Sequence, residues 1–403
     1  MKRMILLLLA LLLLLSGCQS SENSNEQEEE NNSQQEEVIE EESSAVSEIK
    51  EAGSYTYTAN DSISSITVNT DGEVELIFNN FTLESDSAAI IVKKADKLTI
   101  TLIGNNSLSG GDKSCPAVIY SAADIEITGS GSLSLEGKKY GIYSDKDITV
   151  DASITISTGD DGLHGDVITV RGGSLVVTSE NDAIHAFDVT ISTDGSITLS
   201  AEDDAIHADE DIYINGGKIR IQGHEGLEAA YIEINDGALY IESDDDGINV
   251  TDKGSIYING GSIILISEGD GLDSNGTIYL NGGEIYIQSA DDAESGSIDY
   301  DKKAYINGGT LLALGANTSQ TFSNVSSQQQ LYVYNLSGNA NDKIEIYRLN
   351  EKIYSGTARD SYSSIIFTSE DVQAGFSYSI EVNGKEVYTV QIAEKQGSVE
   401  VTS

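Results

Sequence analysis

The chain has 403 residues, with 22 Lys+Arg against 67 Asp+Glu, a formal net charge of -45, 39 Gly, one Pro and no Trp. So acidic a balance excludes unaided binding to nucleic acid or anionic lipid, both of which need clustered Lys and Arg. Yet 39% of the residues are hydrophobic, too many for a disordered acidic chain, so the acid must be arranged on a folded frame.

Residues 1–18 open with Met1-Lys2-Arg3-Met4, continue as an apolar run from Ile5 to Leu15 and end at Ser16-Gly17-Cys18. A short basic segment, a short apolar core and small residues read as a secretory signal. The run is too short to span a bilayer, which takes roughly 20 residues. Leu15-Ser16-Gly17-Cys18 resembles a bacterial lipobox, which makes Cys18 the lipidated N-terminus of the mature protein. A lipoprotein on the extracellular face of a bacterial cell is expected, touching the membrane only through that lipid. Residues 19–51 carry eleven Glu against one Lys between Gln19 and Lys50 and read as a disordered, self-repelling tether.

From residue 52 to residue 322 the sequence repeats. The residue between an acidic turn and an aliphatic falls at Ile90, Val118, Gly141, Gly162, Ala183, Ala205, Gly226, Gly247, Gly271 and Ala293. A second landmark, the glycine of an Asn-Gly-Gly type turn, falls at Gly173, Gly195, Gly217, Gly237, Gly261, Gly283 and Gly309. Both recur about every 22 residues, and two independent landmarks of one period mark a solenoid. Asp211–Ala229 contains three short alternating runs separated by turn residues, and three strands per repeat fit a parallel β-helix. The expected fold is therefore all-β, a right-handed parallel β-helix of about ten coils. Residues 323–403 lose the period but keep alternating segments, so a small antiparallel β domain is expected to cap the solenoid. A monomer is expected.

Registration of the coils places residues in columns. Leu163, Ile184, Ile206, Leu227, Ile248 and Leu272 should stack inward. So should Ile212/Ile214, Ile232/Ile234, Ile256/Ile258 and Ile278/Leu280. Before the landmark runs an acidic column: Asp160, Asp161, Asp182, Asp203, Asp204, Glu225, Asp245, Asp246, Asp270, Asp291 and Asp292. Coils about 4.8 Å apart would bring these carboxylates into mutual repulsion, which solvation or bridging Ca²⁺ would relieve. Two residues past the landmark, His164, His185 and His207 precede Glu228, Asn249 and Asp273. This column reads as a hydrogen-bonded polar ladder, or as a metal site. Tyr213, Tyr257, Tyr279 and Tyr305 form a further column, with Arg220 on a neighbouring one. Flat rings on a rigid sheet suit stacking on sugar faces, although tyrosine also favours strands for its packing alone.

The repeated units DDGLHG (160–165), NDAIHA (181–186), DDAIHA (203–208) and DDGINV (245–250), followed by I-x-I-N-G-G, resemble bacterial carbohydrate-binding β-helix proteins of the cell surface, related in fold to pectate lyases. SYSSIIFTSEDVQAGFSYSIEV at 361–382 resembles the closing segment of that family. The resemblance implies binding of plant cell-wall polysaccharide (cellulose or pectic acid), with Ca²⁺ at the acidic turns. A Ca²⁺-dependent lyase would need a positioned base, for which Arg171, Lys218 and Arg220 are the candidates. A structural or adhesive surface solenoid is a further alternative. Binding without catalysis is expected.

Overall fold

A computed structural model describes residues 45–251, 253–292, 295–316, 330–392 and 399–400. Cys18 and the signal lie outside the described residues, as do most of the expected tether and Ala293. Among the described residues there are strands and no helix, wound into a parallel solenoid of about 12 turns that ends in a small antiparallel sheet. Strand pairing begins at Ala45–Ile49, which lies parallel to Ile63–Asn69, inside the stretch expected to be tether.

The inward columns hold as expected. Leu163, Ile184, Ile206, Leu227, Ile248 and Leu272 are successive partners, and all are fully buried. On the next face Ile212, Ile232, Ile256 and Ile278 pair in turn, as do Ile214, Ile234, Ile258 and Leu280. Alternating side chains put one aliphatic row inside and one polar row outside each strand, so a single hydrophobic cluster runs the length of the solenoid.

Two landmarks shift. Ile90 pairs with Ile119, not with Val118, so Ile90 is a core residue and buried Ala89 holds the small-residue position of that coil. A one-residue slip reverses the face of every side chain, and the burial of an isoleucine decides the register. At the other end Leu272 bridges Ile298 and Gly271 N donates to Gly296 O (3.0 Å). The coil is therefore registered on Ser297, not on Ala293, and the missing inward aliphatic is supplied by Ile298.

At the Asn-Gly-Gly turns the asparagines form a ladder that locks the coils. Each Nδ2 donates to the Oδ1 of the preceding coil: Asn235 to Asn215 (2.8 Å), Asn259 to Asn235 (2.8 Å), Asn281 to Asn259 (2.7 Å) and Asn307 to Asn281 (2.7 Å). The glycines after them make the turn. Gly261 has φ +88°, and a Cβ there would sit 2.8 Å from Gly237 O.

The last solenoid strand, Thr310–Gly315, does not end in a free edge. Tyr362–Thr368 pairs antiparallel with it, and Gln330–Gly338 pairs with that strand in turn. A four-stranded antiparallel sheet of Lys343–Arg348, Glu351–Thr357, Ser377–Val382 and Lys385–Gln391 completes the cap. Leu312 and Leu314, on the outer side of Thr310–Gly315, are fully buried in a second core with Leu331, Val333, Ile365 and Phe367. The cap thus removes the exposed edge that an open solenoid would leave.

Candidate functional site

The acidic column divides into an inner and an outer set. Asp161, Asp182 and Asp204 are 2–5% exposed, and Asp246 and Asp270 are half-buried. Asp203, Asp245, Asp291 and Asp292 point to solvent, while half-buried Asp160 pairs with Lys139 Nζ (2.7 Å). Each inner carboxylate accepts the backbone N–H of the next coil. Asp161 Oδ1 accepts from Asp182 N (3.3 Å), Asp182 from Asp204 N (3.0 Å), Asp204 from Glu225 N (3.2 Å) and Asp246 from Asp270 N (2.7 Å). Asp270 accepts from Gly296 N. Gly296 therefore occupies the position expected for Asp292. Asp291 and Asp292 drop out of the column because the coil carries extra residues before Ser297.

The acidic and histidine columns meet in one site. His164 Nδ1 lies 2.7 Å from Asp161 Oδ2, His185 Nδ1 2.8 Å from Asp182 Oδ2, and His207 Nδ1 3.2 Å from Asp204 Oδ2 and 2.9 Å from Glu228 Oε2. Three residues along a strand that leaves the turn carry the imidazole back over its own carboxylate. The rings also follow one another at 4.8 Å, tilted between His164 and His185 (39°) and stacked between His185 and His207 (30°). Tyr143 lies flat on His164 (4.6 Å, 7°), and Tyr120 stacks on Tyr143. Tyr120 and Tyr143 belong to this column by register. Their repeats lack the acidic pair, and a search for a fixed motif passes over them.

Charge separates the two halves of the edge. Hydrogen bonds from the His207 imidazole to Asp204 and Glu228 raise its pKa to about 10, against the cost of its burial. A contact with Asp182 raises that of His185. Burial would push Asp161 upward, but hydrogen bonds from His164 and Asn181 more than offset it, and its pKa is lowered. In this half imidazoles face the inner carboxylates. Beyond Glu228 no histidine remains in the column. Burial raises Glu225 to about 8, Asp270 to about 7 and Asp273 to about 6, with neighbouring carboxylates adding to each. Glu225 Oε1 accepts from Asn249 Nδ2 (3.0 Å), while its Oε2 is buried without a hydrogen bond.

Asp270, Asp273 and Asp299 each bring a carboxylate oxygen within 4.8 Å of the others. Asp299 reaches this site because registration on Ser297 puts it next to Asp273. An all-oxygen donor set is the chemistry that Ca²⁺ takes, so these residues fit the ion. The clusters at Asp161/His164/His185 and Asp204/His207/Glu228 offer nitrogen donors, to which Ca²⁺ is poorly matched.

The tyrosine column is in register through Tyr213, Glu233, Tyr257, Tyr279 and Tyr305. Tyr231, one strand position away, leans into the gap at Glu233, with ring centroids 5.8 Å from Tyr213 and 5.4 Å from Tyr257. Its hydroxyl donates to Glu233 Oε2 (2.8 Å). Tyr257 and Tyr279 stack at 4.4 Å and 10°, and Tyr279 and Tyr305 at 5.1 Å and 22°. The ring faces are therefore turned on one another, leaving edges and hydroxyls outward. Between Tyr257, Tyr279 and Tyr305 the ring faces are occupied by one another, while Tyr213 and Tyr231 are tilted.

Arg220 lies on a different face, between Thr198 and Tyr240. It pairs with Glu242 (2.8 Å) and covers the Tyr240 ring at 4.4 Å. Arg171 and Lys218 are exposed.

A parallel solenoid carrying stacked polar columns and a capped end defines a surface-presenting scaffold, with its chemistry laid out in rows. The family described as carbohydrate-binding domain-containing protein matches residues 43–233 and 188–335. The two overlapping matches run along the solenoid and take in more than half of the chain, which therefore belongs to this family. No curated protein and no solved structure matches it.

Proposed function

We propose that the protein is a non-catalytic polysaccharide-binding lipoprotein, held on the extracellular face of a bacterial cell through Cys18. The observation that carries this reading is the family match over the solenoid, on a fold that presents long regular rows of hydrogen-bonding groups. Ca²⁺ belongs in this reading at Asp270, Asp273 and Asp299, where three half-buried carboxylates bring oxygens within 4.8 Å of one another. A bound ion would supply positive charge and open coordination positions for the carboxylate or hydroxyl oxygens of a glycan. An acidic edge would in this way accept a pectic acid that it otherwise repels, and cellulose is the neutral candidate. Arg220, a candidate base for lyase chemistry, is engaged by Glu242 and Tyr240, and nothing at the acidic edge favours catalysis over binding.

The test is calorimetry on the full chain with galacturonan, cellulose and soluble glucans, each with Ca²⁺ and with EDTA. Binding of at least one is expected, and that of galacturonan should require Ca²⁺. Absence of heat with every glycan would sink the reading.

A further inference from the structure

The outer face of the last coils and the cap enclose a cleft of about 850 Å³. Ile264 and Tyr286 of the solenoid form its floor, and Ile353 and Tyr354 of the strand Glu351–Thr357 form a wall. Tyr286 is fixed by the cap, its hydroxyl 3.1 Å from Thr357 O and 3.2 Å from Gln288 Oε1. Tyr354 packs against Phe367 at 5.0 Å and 49°, which sets its ring in the wall. A volume of this size falls in the range of about 300–1,000 Å³ that small-molecule sites occupy.

The rim is polar. Glu284, Glu370 and Arg359 line it. The backbone N–H of Arg359 donates to Gln288 Oε1 (3.2 Å), while its guanidinium makes no ion pair among the described residues. By contrast, Arg220 and Arg348 are both tied to carboxylates. In a chain of net charge -45, this guanidinium keeps open donors beside the two tyrosines that line the cleft. Its charge bears on the hydroxyls of both Tyr240 and Tyr286. Those two tyrosines share one column with Arg220 and Ile264, so the cleft is the end of a track along the solenoid face.

We propose that this cleft seats a sugar unit of a neutral, hydroxyl-rich glycan chain, whose remaining units follow the column past Ile264 toward Tyr240. Tyrosines offer ring surface and a hydroxyl. Arg359 presents donors and Glu284 and Glu370 present acceptors, the pairing that sugar hydroxyls need. Three lining carboxylates, Glu284, Glu370 and Asp371 (the last paired with Arg348), outnumber the Arg359 guanidinium and make the rim unwelcoming to a uronate. The site differs from the acidic edge in both chemistry and place, and needs no metal. The proposal rests on the polysaccharide-binding reading.

The experiment is calorimetry on the full chain with cellohexaose in EDTA, and with galacturonan oligomers in Ca²⁺. Cellohexaose should bind the wild type, and Arg359→Ala and Tyr354→Ala should each weaken it at least tenfold. Galacturonan binding should stay unchanged in both variants. If Tyr354→Ala melts early because it loses its packing on Phe367, exposed Arg359 decides the matter. Undiminished cellohexaose binding in folded variants overturns the cleft. Binding of galacturonan alone by the wild type also overturns it while leaving the polysaccharide reading intact, and binding of neither glycan removes both.

Discussion

His207 shows how a residue in this molecule is governed by its column. Asp204 and Glu228 hold its pKa near 10, against about 6.5 in an unfolded chain. A raised folded pKa stabilises fully below the unfolded value, and that stabilisation is lost as pH rises through the folded one. His207→Gln should therefore lower unfolding stability by about 2 kcal/mol at pH 6, the scale of a charged hydrogen bond. The gap should narrow progressively above pH 6.5 and close above pH 10, as followed by urea unfolding across that range. The other end of the edge behaves oppositely toward cations. Adding Ca²⁺ should raise the melting temperature by about 5 °C through preferential binding to the folded state, and Asp270→Asn with Asp273→Asn should remove the increment. A calcium response that survives in the double variant would place the ion elsewhere.

At the scale of elements, each strand is held by its neighbours one coil away, and side-chain ladders add to the backbone pairing. Asn259 donates to Asn235 and to Glu233 Oε1 (3.0 Å) and accepts from Asn281. Asn259→Ala should cost about 1–2 kcal/mol by breaking several bonds of an amide ladder, and Asn307→Ala at its end should cost less, both measured by urea unfolding. The period, the inward aliphatics and the turn glycines were all legible in the sequence, because stacking forces identical environments on residues one coil apart. Coils that break the period were not. Ile90 lies one residue off the repeat, since Ala88 and Ala89 are both small and both buried, and only the pairing of Ile90 with Ile119 separates them. The coil after Asp292 departs from the period because its inward aliphatic, Ile298, follows extra residues. That same insertion hid Asp299, which has no acidic pair before it.

The whole molecule is a one-dimensional stack whose end must be closed. Leu312 and Leu314 are fully buried beneath the cap, and Thr310–Gly315 is paired by it. Deleting residues 330–403 should expose this strand and its apolar side, and drive self-association visible by sedimentation velocity. A truncated chain that remained a well-behaved monomer would contradict this account of the cap.

From the sequence alone came the charge, the period, the columns and the adjacency of acid to histidine, all consequences of a local pattern repeated at a fixed interval. What needed the tertiary structure was whatever depends on direction and on distant chain. It turned the inner aspartates onto the amides of the next coil and the outer ones to solvent. It brought Tyr231 into the gap at Glu233 and spent the tyrosine faces on each other. It folded the cap back to form a cleft with residues some seventy positions earlier, Tyr286 against Thr357 among them. Register can be counted along a chain, but side-chain orientation and long-range closure are settled by packing, and that is where the candidate sites lie.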